Sequence, residues 1–78
     1  MPEVELYPGV VSNPQVLGGK PVVKGTRVPV ALVLGKLAGG MNMDELLREY
    51  HLTVDGVHAA LAYAAELVAD EAVYVTRK

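Results

Sequence analysis

The block GGKPVVKGTRVPV at residues 18–30 sets three glycines, two prolines and three basic residues in thirteen positions. Proline lacks a backbone donor and glycine weakens any regular element, so the block reads as turns joined by very short extended pieces. It separates an extended beginning from a helical remainder. Before it, Val4, Leu6, Val10 and Val11 surround a Tyr7-Pro8-Gly9 turn signal. They read as short strands, with Pro8 confining them to a sheet edge. Asn13-Pro14 marks a further turn. Inside the block, Val22-Val23 and Arg27-Val28 flank Lys24-Gly25-Thr26. That pattern predicts a small hairpin or irregular turn with Gly25 at positive φ.

Three helices are predicted after the block. The first starts near Pro29, whose missing N–H costs nothing in a first helical turn. Val30, Val33, Leu34 and Leu37 form its apolar face, and Gly39-Gly40 ends it. The second starts at Asn42 with Glu45 three residues on, the pattern of a capping box, and buries Met43, Leu46, Leu47 and Tyr50. His51-Leu52 is a short connection, and Thr53 caps a third helix reaching about Asp70. Val54, Val57, Leu61, Ala64 and Val68 recur by three and four, a coiled-coil-like seam. Asp55, Ala59, Tyr63, Glu66 and Asp70 fall on the opposite face. Residues 73–77 are rich in β-formers and are expected to pair as a strand. The second helix, a short turn and the third helix make a helix-turn-helix order, whose second helix inserts its first residues into the major groove.

At 78 residues the chain is one domain, 1–78, with a core at about 11–70 and strand-like ends at 3–11 and 73–77. So short a chain buries only about 60% of its unfolded surface, and its hydrophobic core alone is marginal. Cysteine is absent, which excludes disulfides and thiolate zinc sites. His51 and His58 are too few for a metal centre, and neither metal nor cofactor is expected. A partner chain, most simply a second copy, is the remaining aid to stability; hydrophobic residues make up 51% of the chain. No leader and no membrane-spanning apolar run is evident, so a cytoplasmic protein is expected.

The block does not match a Walker loop, because proline follows Gly19-Lys20 where a helix would begin. The sequence does resemble a known family. Asn13-Pro14, then residues 18–30 in full, an apolar helix closed by Gly40, Asp44-Glu45-Leu46-Leu47, Leu52-Thr53, and Ala59-Ala60-Leu61-Ala62-Tyr63-Ala64 are similar to the DUF433 family of small bacterial and archaeal proteins. The similarity covers about residues 11–65. It implies a mainly α fold, a homeodomain-like three-helix bundle with a helix-turn-helix, preceded by short β strands or a hairpin. It also implies an antitoxin-like role beside a PIN-like toxin nuclease.

For the block itself three readings stand. Thr26 and Arg27 bond backbone carbonyls and fix the entry into the first helix. Alternatively Lys20, Lys24, Thr26 and Arg27 face phosphates, joined by Thr53 and His58 from the third helix. In the third reading the block contacts a protein partner. The net charge of −2 opposes strong nucleic-acid binding by one copy, since phosphate neutralisation supplies most non-specific affinity. The acidic outer face read for the third helix opposes groove insertion beyond its first turn, Thr53, Asp55, Gly56, His58 and Ala59. Leu32, Tyr63 and Leu67 are apolar and off the predicted seams, which marks a protein interface. Arg77 and Lys78 suit the carboxylates of a nuclease cleft. Asp44-Glu45 and Asp70-Glu71 are adjacent pairs that point apart on a helix. With no nucleophile–base pair or metal cluster, a non-enzymatic role is expected.

Overall fold

The computed structural model describes residues 2–71. Three strands, β1 (Val4–Tyr7), β2 (Val10–Ser12) and β3 (Val22–Val23), precede three helices, α1 (Val30–Ala38), α2 (Met43–Tyr50) and α3 (Val54–Glu71). The strand expected at 73–77 lies outside the described residues. The strands form one antiparallel sheet in the order β1-β2-β3. Pro8-Gly9 turns β1 into β2, with Gly9 at φ 90°, the conformation a glycine supplies after proline in a tight turn. Val10 lies opposite Val23, and Val11 opposite Val22.

The glycine-rich block folds as the small hairpin-like turn its composition predicts. The Thr26 amide donates to the Val23 carbonyl at 3.0 Å, and the Val23 amide donates to the Val28 carbonyl at 2.9 Å. Gly25 holds φ 81° at the tip. The Val30 amide then donates to the Pro21 carbonyl at 3.0 Å, so the chain passes from the sheet into α1 within one bonded step.

The helix ends follow their caps. Pro29 precedes α1. At its other end the Met41 amide donates to the Lys36 carbonyl (3.0 Å) and the Gly40 amide to the Leu37 carbonyl (3.1 Å). That pair of bonds is a Schellman closure, with Gly40 at φ 103°. Asn42 and Glu45 form the reciprocal capping box of α2: the Glu45 amide donates to Asn42 Oδ1 at 2.9 Å, and the Asn42 amide to Glu45 Oε1 at 3.2 Å. Thr53 caps α3, its Oγ1 accepting from the Gly56 amide at 3.0 Å. Between α2 and α3 the axis turns by 106°, with His51 left-handed at φ 56°. Among the described residues no single helix is long and apolar enough to cross a membrane.

Two expectations need correction. The fold is mixed α/β rather than mainly α. Val10, Val11, Val22 and Val23 of the sheet are buried beside Val30, Val33, Leu46, Leu52, Val57 and Ala60 of the helical part. Val10 and Val23 join the helices in one core cluster, so the sheet forms one wall of the core. The second correction concerns the rotation of α3. Val57 and Ala60 are fully buried, but Val54, Leu61 and Val68 are 44%, 38% and 73% exposed. Ala59 and Tyr63, placed on the outer face by periodicity, pack against the core instead. The reason is steric. A Cβ added at Gly9 would lie 2.6 Å from the Ala59 Cβ, and one added at Gly56 would lie 3.0 Å from Val23 Cγ1. At Gly56 and Ala59 the sheet approaches α3 so closely that only small residues fit, and the face they share with Val57 and Ala60 turns inward while Val54, Leu61 and Val68 turn away.

Gly9→Ala is therefore expected to lower unfolding free energy by about 2–4 kcal/mol, combining a disfavoured φ with overpacking. Gly25→Ala, with a similar φ and open space around it, costs only about 1 kcal/mol. Urea denaturation of both variants checks the difference; equal losses would mean that the contact with Ala59 carries no weight.

Candidate functional site

The corner between α2 and α3 lies beside the turn after β3. Together they bound a half-open cleft of about 430 Å³. Lys24, Gly25 and Thr26 form one wall, His51, Leu52 and Thr53 the corner, and Asp55, Gly56 and Ala59 the first turns of α3; Gly9 and Val23 complete it. Each wall is held locally. Thr26 Oγ1 donates to the Val23 carbonyl at 2.7 Å and accepts from the Val28 amide at 3.0 Å, which uses its only proton. The Lys24 amide donates to the Gly9 carbonyl at 2.9 Å, tying this wall to the β1–β2 turn. The opposite wall is fixed by the Thr53 cap and by the Leu52 amide, which donates to the Leu47 carbonyl at 2.9 Å.

The cleft carries balanced charge on a lining that is largely apolar. Lys24 is its cation, and its Nζ lies 3.8 Å from Glu5 Oε2 in an exposed ion pair. Asp55 is its carboxylate. The same Glu5 oxygen accepts from the Gly9 amide at 3.2 Å, so one carboxylate braces both turns that form this wall. The Thr53 hydroxyl still has a proton to donate, as does the Lys24 ammonium, and Asp55 accepts. These groups suit hydrogen bonding to a polar partner. Among the described residues no hydrogen bond joins Thr53, His51 and Asp55 into a nucleophile–base pair. Nor do the described His, Asp and Glu residues cluster to hold a metal ion.

The predicted contact residues divide. Lys24, Thr26 and Thr53 meet in the cleft. Lys20 lines a second groove, of about 330 Å³, with Tyr63 and Leu67. Arg27 and His58 are exposed and line neither. Thr26 makes the turn bonds expected of it, whereas Arg27 makes no hydrogen bond or ion pair among the described residues. Leu32 is half-buried on α1, away from both openings. Arg77 and Lys78 lie outside the described residues. Gly56 and Ala59, expected to reach into a DNA groove, instead face the sheet. Gly9 and His51 were not anticipated as cleft residues. A glycine within a helix, as at Gly56, is the signal that something approaches closely there.

Comparison with known proteins follows the same stretch of chain. A family model described as "Protein of unknown function (DUF433)" matches residues 10–64. The uncharacterized protein y4eO of Sinorhizobium fredii (strain NBRC 101917 / NGR234) is 41% identical over 56 residues, which is 70% of this chain and 25% of that protein. The X-ray crystal structure of Rv2018 from Mycobacterium tuberculosis superposes with a TM-score of 0.68 at 34% identity, over 77% of this chain and 30% of that one. The chain thus spans only about a quarter to a third of the length of these relatives.

Thr26→Val is expected to cost about 1–2 kcal/mol, because it removes a donor and an acceptor from a half-buried turn. Lys24→Ala, which breaks only an exposed pair, is expected to change stability by less than about 0.5 kcal/mol. Thermal denaturation of the two variants side by side measures the split between wall-building and solvent-facing residues.

Proposed function

The chain belongs to the DUF433 family, and on that premise we propose that it is a non-catalytic binding module: an antitoxin-like regulator of a type II toxin–antitoxin system. In this reading it docks on a PIN-like nuclease and contacts promoter DNA through the α2–α3 corner. The antitoxin part rests on the family resemblance. The contact part rests on one observation: two helices meeting at 106° with the Lys24–Gly25–Thr26 turn beside their corner. An angle in this range is that of a helix-turn-helix, and a homeodomain-like arrangement would place α3 as the reading helix.

The charge pattern limits how DNA would be held. Asp55 sits in the cleft, while Lys24 and Arg27 are exposed on the adjoining turn. Phosphate contact therefore falls to the turn, and α3 offers only Thr53 and His58 from its beginning. With Gly56 and Ala59 turned to the sheet, little of α3 is left to read bases. Affinity would come from the backbone of the duplex more than from base edges. On the nuclease, whose metal-binding cleft is acidic, the same two cations would face carboxylates and occlude the site.

The alternative is a helix-turn-helix DNA-binding protein with no toxin partner. Co-expression with the product of the neighbouring gene separates the two: a stable complex that blocks nuclease activity is expected, and failure to co-purify favours the alternative. DNA contact has its own test. Binding to the upstream duplex should weaken with salt, and Lys24→Ala with Arg27→Ala should reduce the slope of log K against log salt by about 2. No binding at low ionic strength would remove DNA from the account.

A further inference from the structure

Two features of the C-terminal half of α3 are unexplained by the cleft. Residues 65–70 are exposed in succession, on every side of the helix. Leu67 is 48% and Val68 73% exposed. At the base of this projecting end lies the second groove. Its walls are apolar, Pro21, Ala31, Leu34, Ala64 and Leu67 among them, and Lys20 stands on it with no carboxylate among the described lining residues. A short helical end is marginal in water without cover, because its stability comes from packing.

The helix end and the groove are complementary. The end carries Glu66 and Asp70, and no Lys or Arg occurs anywhere in α3. The groove carries Lys20 and apolar surface. Each copy therefore holds one cationic apolar groove and one acidic apolar helix end. We propose that two copies of this chain pair about a two-fold axis by exchanging the ends of α3. Val68 of each copy seats against Leu34 and Leu67 of the other, and Glu66 and Asp70 face the other copy's Lys20. The interaction is isologous, so both grooves fill at once and the contact closes on two copies instead of propagating a fibre. Filling two grooves and covering two helix ends also moves the contact toward the roughly 800 Å² per partner of a stable interface. Leu61, one turn pair before Val68 and 38% exposed, extends the same stripe toward the axis. The pairing stands apart from the regulator reading, since it needs neither a nuclease nor an operator.

Sedimentation equilibrium of the 78-residue chain over a wide concentration range tests this. The wild type is expected to dimerise. Val68→Glu, at a position open to water in the single copy, should weaken dimerisation by at least about 100-fold, because the charge is buried twice per dimer. Lys20→Glu should weaken it about tenfold, and combining it with Glu66→Lys and Asp70→Lys should restore it to within about threefold. Circular dichroism checks that each variant keeps its helices. A wild type that stays monomeric throughout overturns the proposal. So does a dimer indifferent to Val68→Glu, or a charge reversal that the compensating pair does not rescue.

Discussion

The Gly9 backbone against the Ala59 side chain, and Val23 against Gly56, hold this protein together at van der Waals distance. A three-stranded sheet of four, three and two residues has too few ladder bonds to be stable alone. It persists because α3 lies on it closely enough to bury Val10 and Val23 with Val57 and Ala60. There is no disulfide to supply that stability. Small side chains at Gly56 and Ala59 are thus a structural requirement. They decide which face of α3 turns inward, and with it where every other residue of that helix points.

Much of the architecture was legible in the residues because it is written locally. Asn42 with Glu45, Gly39-Gly40, Thr53, Pro8-Gly9 and Gly25 each satisfy or permit a particular backbone geometry within four residues, and each does so where expected. The weight of the sheet was not legible. Val10, Val22 and Val23 are few, and only their pairing across separate parts of the chain shows that they wall the core. The rotation of α3 was misread for a related reason. Periodicity ranks Val54, Leu61 and Val68 above Gly56, Ala59 and Ala60, yet a close backbone neighbour selects for size before hydrophobicity. Half of the cleft followed the same division. Lys24, Thr26 and Thr53 stand out as polar residues at turns, whereas Gly9, Gly56 and Ala59 enter only through a long-range contact.

The same contact links fold to function. It sets the turn at Lys24–Thr26 beside the α2–α3 corner and fixes both walls of the cleft with short backbone bonds. A cleft of balanced charge suits hydrogen-bonded recognition, and phosphate contact is left to the exposed Lys24 and Arg27 of the adjoining turn. Away from the cleft, Leu67 and Val68 expose apolar surface on the C-terminal half of α3. The proposed recognition at the corner and the proposed association along the projecting helix are therefore separable in space. In the relatives the matched stretch makes up 25% and 30% of the chain, so the same unit accompanies a larger body of protein there.

Native-state hydrogen exchange tests most directly whether sheet and helices form one cooperative unit. The Val23 and Lys24 amides, bonded to Val28 and Gly9, should exchange with the same opening free energy as the Leu46 and Val57 amides of α2 and α3. They should also share their dependence on denaturant. Exchange of the Val23 and Lys24 amides through a separate, low-energy opening, while the helical amides stay protected, would contradict the account. The sheet would then be an appendage to a helical core, and the close approach at Gly9 and Gly56 incidental.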